Sequence, residues 1–148
     1  MPTFDFNMIF TFLMWIAGSI VTIGGATATG LGEDLMKGVI SYETVRLMKE
    51  GLSPQKACEK AVKELDARLK RTRGEAGDIS VVAMNRNGDF GAAPNIDNFS
   101  FVVATKSLAP TVFRVHPQPD GTMSHELASK EWLESYLEER MKPLEVKE

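Results

Sequence analysis

A run of small residues leads straight into two amphipathic periodicities. That order, from Gly24 to Leu69, narrows the folds open to this chain more than any other feature. The run Gly24-Gly25-Ala26-Thr27-Ala28-Thr29-Gly30-Leu31-Gly32 carries few side-chain atoms, so a second backbone or a ligand can approach it closely. Leu35, Met36, Val39, Ile40, Leu47 and Met48 then fall on one broad apolar face and predict a helix over 33–50. Gly51 reads as its stop, and Ser53-Pro54 as an N-cap followed by proline at the first helical position. Ala57, Cys58, Ala61, Val62, Leu65 and Leu69 predict the buried face of a second helix over 53–71. Two helices joined by a tight turn and entered through a glycine-rich loop make a scaffold for a small polar site.

The pattern changes after Arg73-Gly74-Glu75-Ala76-Gly77, which reads as a turn. Ile79 to Met84 is apolar, β-branched and short, as a buried strand is. Asn85-Arg86-Asn87-Gly88 signals a hairpin, because Asn-Gly accepts the positive φ angles of a type I′ turn. Asp89 to Ala93, Phe99 to Ala104 and Thr111 to Val115 supply further strands. The expected fold class is α+β, two helices packed beside an antiparallel sheet. Residues 117–123 read as a polar linker. Residues 124–141 read as a final amphipathic helix, with Leu133, Leu137 and Met141 four apart and Glu134, Glu138, Glu139 and Arg140 opposite. The chain thus divides into an apolar leader (1–23), a domain (24–116), the linker and a C-terminal helix with its tail (124–148).

The leader, MPTFDFNMIFTFLMWIAGSIVTIGGA with its continuation, has no charge between Asp5 and Glu33, and Met8 to Ile23 is almost wholly apolar. It fits a signal peptide poorly, lacking the positive n-region. As a membrane anchor it reaches the required length of about 20 residues only by including Gly24, Gly25 and Thr27. A start created by truncation or misplaced initiation is the third reading. Membrane association or export follows from the first two, and the compartment stays open.

Composition enters mainly through what it excludes. With 17 basic against 20 acidic residues, a net charge of −3 leaves no excess to neutralise phosphates, which argues against nucleic acid as a partner. Arg68, Lys70, Arg71 and Arg73 read instead as the solvated end of the second helix, where they complement its dipole. Cys58, the single cysteine, lies on an apolar stripe and reads as a buried structural thiol. His116 and His125 share no metal-ligand spacing with cysteine or carboxylate, so neither a metal nor a cofactor is expected.

Over residues 24–115 the sequence resembles the glycosylasparaginase family of N-terminal-nucleophile hydrolases. The resemblance rests on Thr27-Ala28-Thr29-Gly30-Leu31-Gly32-Glu33, Ser41-Tyr42, Val45, Leu47-Met48, Gly51, Pro54-Gln55, Ala57-Cys58 and Ala61-Val62. It resumes at Asn85-Arg86-Asn87-Gly88-Asp89-Phe90-Gly91-Ala92-Ala93 and Phe99-Ser100-Phe101-Val102-Val103. It matches only the back half of the family's catalytic subunit, and implies part of an αββα sandwich.

Members of that family cleave the amide between a sugar and an asparagine side chain, or related β-aspartyl amides. A threonine freed by autoproteolysis attacks the carbonyl, its own amino group acting as base. The resemblance places the family's oxyanion donors at Thr29 and Gly30, and at Gly32 the glycine whose carbonyl holds the substrate's α-amino group. The nucleophile, which follows an aspartate well upstream in the family, has no counterpart here, since 28 residues precede Thr29. Thr22-Ile23-Gly24 imitates that start but follows valine, and Arg86-Asn87-Gly88-Asp89 imitates the family's substrate clamp inside a hairpin turn. The expectation is therefore a truncated amidohydrolase, inactive alone, with no catalytic residue of its own. Its partners would be a β-aspartyl amide or glycosylasparagine and a complementing chain that carries the nucleophile. The rival expectation is a membrane-tethered interaction module, anchored by Met8 to Ile23 and recruiting through its last helix.

Overall fold

The computed structural model describes residues 23–141. Residues 1–22 of the 1–23 leader and the tail at 142–148 lie outside the described residues, and with them the expectations placed there. None of the described helices is long and apolar enough to cross a membrane.

The chain runs β1 (Gly24–Gly30), α1 (Gly32–Gly38), α2 (Ile40–Lys49), α3 (Pro54–Arg73), β2 (Ile79–Asn85), β3 (Phe90–Pro94), β4 (Phe99–Val103), β5 (Thr111–Pro117), β6 (Met123–Leu127) and α4 (Lys130–Arg140). The α+β class expected from the sequence holds, with two three-stranded sheets where one was expected. One has the order β1-β2-β3, the other β4-β5-β6, and every pairing is antiparallel.

The first sheet is apolar on both faces because β2 alternates between two cores. Ile79, Val81 and Ala83 join Ala57, Cys58, Ala61, Leu65 and Leu69 of α3 and Ile40 and Leu47 of α2. Val82 and Met84 point the other way, packing with Ala92 and Phe90 against Phe101, Phe113 and Val115 of the second sheet. Aromatic rings carry much of that inter-sheet layer, with Phe90 and Phe113 at 5.2 Å and Phe101 and Phe113 at 5.6 Å between centroids. On the outer side of the second sheet, the Arg114 guanidinium lies 5.1 Å from the centre of the Trp132 ring and brings α4 alongside.

α3 forms as its sequence demands. The Ser53 hydroxyl accepts from the Lys56 amide at 3.3 Å, Pro54 occupies the first turn, and Gly74 ends the helix at φ 87°. Cys58 is fully buried, and burial pushes its thiol up to about 12.

Four expectations need correction. The single helix over 33–50 is two helices, broken at Val39, which sits in the left-handed region at φ 44°, ψ 42°. The periodicity is continuous, but Met36 and Val39 are 77% and 61% exposed, so α1 does not continue the buried stripe of α2. The small-residue run expected to enter the helices as a glycine-rich loop is, over Gly24–Gly30, a strand in register with β2 from Gly24↔Asn85 to Gly30↔Ile79. The β2–β3 hairpin is not type I′: Gly88 alone in it has positive φ, and the Asn85 side chain accepts from the amides of Asn87 and Asp89 at 2.9 and 3.0 Å. That is the pattern of a type I turn closed by a left-handed glycine.

The final correction concerns the C-terminal stretch. Residues 118–122 form a hairpin turn in which the Gln118 amide donates to the Thr122 carbonyl at 2.8 Å. Ser124 to Leu127 belong to β6, and α4 starts only at Lys130, with the Ser129 hydroxyl accepting from the Trp132 amide at 3.1 Å. Met-Ser-His-Glu-Leu has little intrinsic strand preference. Pairing with β5, from Phe113↔Leu127 to Pro117↔Met123, decides its conformation.

Candidate functional site

Thr29 and Gly30 close β1, Leu31 turns the chain, and Gly32 opens α1. All four are exposed. The direction of each backbone group follows from strand pairing. At one end of β1 the Arg86 amide donates to the Ile23 carbonyl at 3.2 Å, and at the other the Leu31 amide donates to Asp78 at 2.8 Å. Antiparallel ladders alternate, so odd-numbered residues between these two face β2, while Gly24, Ala26, Ala28 and Gly30 turn their N–H and C=O groups outward. The Gly30 amide is thus aimed at an edge that no described strand covers. Thr29, opposite Ser80, stands on the face that looks toward the second sheet.

Glycine is obligatory at position 30. Its φ is +130°, and a Cβ there would lie 2.0 Å from the carbonyl oxygen of Asp78. Gly32 differs, since nothing in the described chain lies within 4 Å of the place its Cβ would take. Beside it runs an open groove of about 530 Å³, walled by Ala28, Leu35, Met36, Val39, Ile40 and Tyr42.

Behind the turn lies an ion pair that sequence reasoning missed. Asp34, with no exposed surface, accepts two hydrogen bonds from the Arg73 guanidinium at 2.7 Å each and one from the Gly77 amide at 2.8 Å. The Arg73 fork, then the Gly77 amide, hold its carboxyl below the usual range. The basic end of α3 is exposed, as expected, and carries contacts as well: Arg68 donates to the Lys37 carbonyl at 2.8 Å and Lys70 pairs with Asp66 at 2.7 Å. Asn95 completes the support. Its side chain accepts from Ile79 at 2.7 Å and donates to the carbonyl of Gly77 at 2.9 Å and to Asp66 at 3.0 Å. An aspartate in a first helical turn and an arginine in a last one each satisfy a helix dipole, so neither declared its partner in the sequence.

The opposite edge of the same sheet is closed. Gln55 donates to the carbonyl of Ala92 and accepts from its amide, both at 3.0 Å, and Gly91 lies so close to α3 that a Cβ there would meet the Gln55 backbone at 2.3 Å. Arg86-Asn87-Gly88-Asp89 sits in the β2–β3 turn, as expected from its residues. His125 approaches the carbonyl of Ala92 at 3.4 Å and His116 approaches Glu126 at 3.2 Å. Among the described residues no group of His, Cys, Asp and Glu is placed to hold a metal ion.

A family model described as asparaginase matches residues 14–113. The chain belongs to the asparaginase family. An N(4)-(beta-N-acetylglucosaminyl)-L-asparaginase of Elizabethkingia miricola is 40% identical over 83 residues, which is 55% of this chain and 24% of that protein. The rat protein of the same name is 33% identical over 84 residues, 54% of this chain and 23% of its own length. An L-asparaginase-like protein of Drosophila melanogaster is 39% identical over 83 residues, covering 55% and 20%. The chain spans about a quarter of the curated relatives it matches. The family match starts ten residues earlier than the resemblance drawn at Gly24 and so overlaps the apolar leader. It ends inside β5, which leaves β6 and α4 outside it.

Proposed function

We propose that this asparaginase-family chain carries the oxyanion-stabilising half of a threonine-nucleophile amidohydrolase site. Its substrate would be a β-aspartyl amide of the glycosylasparagine type. One observation carries the reading: the Gly30 amide points out of the edge of β1 that no described strand covers, next to Thr29. A hydroxyl and an amide on one exposed strand end are the donors a tetrahedral oxyanion needs. Gly32 leaves its surroundings open for the substrate's amino group to reach a backbone carbonyl.

These 148 residues hold no threonine directly after an aspartate, so the nucleophile comes on another strand laid along β1, and the chain by itself turns nothing over. The asymmetry of the sheet supports that arrangement. β3 is shut by Gln55, whereas β1 carries no charge or proline to discourage pairing. The test is hydrolysis of a fluorogenic β-aspartyl amide by the purified chain. No turnover is expected, together with L-aspartate binding that Thr29→Ala weakens. Turnover abolished by Thr29→Ala would overturn the inactive state, and absence of any L-aspartate binding would overturn the site.

A second reading, a membrane-tethered interaction module, draws on the apolar run from Met8 to Ile23 and on Leu137 of the last helix and Met141 just after it, 57% and 81% exposed. Recovery of the full chain as a soluble monomer after cell fractionation removes it.

A further inference from the structure

We infer that Asp34 and Arg73 are positioning residues: their ion pair fixes the aim of the Gly30 amide by gripping the segment on which Gly30 rests. This inference depends on the oxyanion reading for its functional meaning, but its structural half stands apart.

Gly30 and Leu31 have one backing. The Leu31 amide donates to the Asp78 carbonyl at 2.8 Å, and Gly30 packs so closely on the same oxygen that only a missing Cβ allows it. A shift of that carbonyl therefore re-aims the neighbouring amide. Residues 75–78 have no regular structure to hold them still. They are held by side chains from far along the chain. Asp34 takes the N–H of Gly77, and Asn95 takes its C=O and the N–H of Ile79. Arg73 then locks the Asp34 carboxylate with a two-point fork, so the carboxylate cannot rotate away from Gly77.

An ion pair with one fully buried partner is a poor device for stability alone, because the desolvation of the carboxylate offsets much of the attraction. A bidentate fork is a good device for angular precision. The pair also ties the first turn of α1 to the last turn of α3, so the turn between β1 and α1 is fastened to the longest helix of the described fold. Oxyanion donors need such a rigid backing, since their advantage lies in being preoriented.

The test uses the full chain with L-aspartate as probe, followed by backbone amide signals. Asp34→Asn and Arg73→Lys are each expected to displace the Gly30 and Leu31 amide signals. Each should speed hydrogen exchange at the Leu31 amide about tenfold, leave exchange at Val81 and Ala83 unchanged, and weaken L-aspartate about tenfold. Lys37→Gln, which removes a neighbouring exposed charge, should change none of these. If the two variants stay folded with Gly30 and Leu31 signals and exchange unaltered, the inference is overturned. It is equally overturned if the signals move but L-aspartate affinity holds. If wild type binds no L-aspartate while the variants still loosen Leu31, the oxyanion reading has failed and the clamp survives as a structural one. A variant that loosens Val81 as much as Leu31 acts on the whole fold, and that too overturns a positioning role.

Discussion

Gln55 and Ala92 form a closed exchange: the side-chain amide of one donates to and accepts from the backbone of the other, at 3.0 Å in both directions. In effect Gln55 supplies one residue of a fourth strand and ends the sheet at β3. Removing it leaves the buried Ala92 amide without its acceptor, and its carbonyl with only the His125 ring at 3.4 Å; a buried unsatisfied group typically costs about 1–3 kcal/mol. Gln55→Ala is expected to lower the urea midpoint accordingly and to raise self-association, read by light scattering at increasing concentration. Unchanged stability and a monodisperse solution would show that the cap is idle.

Gly30 and Gly32 separate packing from binding. Gly30→Ala forces a Cβ into the Asp78 carbonyl at a positive φ, and should cost at least about 1–3 kcal/mol. Gly32→Ala meets open space at the first position of a helix, and should stay within about 0.5 kcal/mol of wild type. The second variant nonetheless should lose L-aspartate binding. Equal melting losses in the two would mean that Gly32 is packed as tightly as Gly30.

Val39 is a β-branched residue held in left-handed backbone and 61% exposed. Left-handed geometry costs an L-residue roughly 1–2 kcal/mol. Val39→Gly should therefore stabilise the chain by about 1 kcal/mol, the opposite of what glycine does inside a helix. A drop in the urea midpoint would contradict the break between α1 and α2.

Asp34 gives the acid limb of stability a named source. Its carboxyl is held below the usual value of about 3.9 by the Arg73 fork and then by the Gly77 amide. A lowered native value means that the unfolded chain binds the proton first as pH falls. The contribution is fully present above the unfolded value and is lost as pH descends through the native one. Urea midpoints measured from about pH 7 to about pH 3 should fall in wild type. In Asp34→Asn they should start lower and fall less steeply. Parallel curves would assign the acid sensitivity to other carboxylates.

The legible parts of this molecule are those written in neighbouring residues. The cap, proline start, buried stripe and glycine stop of α3 all lie within a few residues of one another, and each acts through local geometry that any context would impose. The same holds for β2, whose β-branched run has both faces covered, and for the small residues of β1, which announce a close approach without saying of what. Residues Thr29, Gly30 and Gly32 stand out by resemblance alone, and as near neighbours in the chain they lie at the junction of β1 and α1, where no tertiary contact is needed to bring them together.

What the sequence could not declare depends on partners far along the chain. Asp34 finds Arg73 and Gly77 across 39 and 43 positions, Gln55 finds Ala92 across 37, and β6 becomes a strand only because β5 lies beside it. The helix break at Val39 belongs here too, since α1 follows the Asp34 clamp while α2 follows the core of the sheet. Sequence alone determined the local elements and the identity of the small residues at the turn, because propensity and periodicity act over one or two helical turns. Tertiary structure decided which way the Gly30 amide points and that Gln55 shuts the β3 edge of the first sheet, because those depend on register and on side chains delivered from elsewhere in the fold.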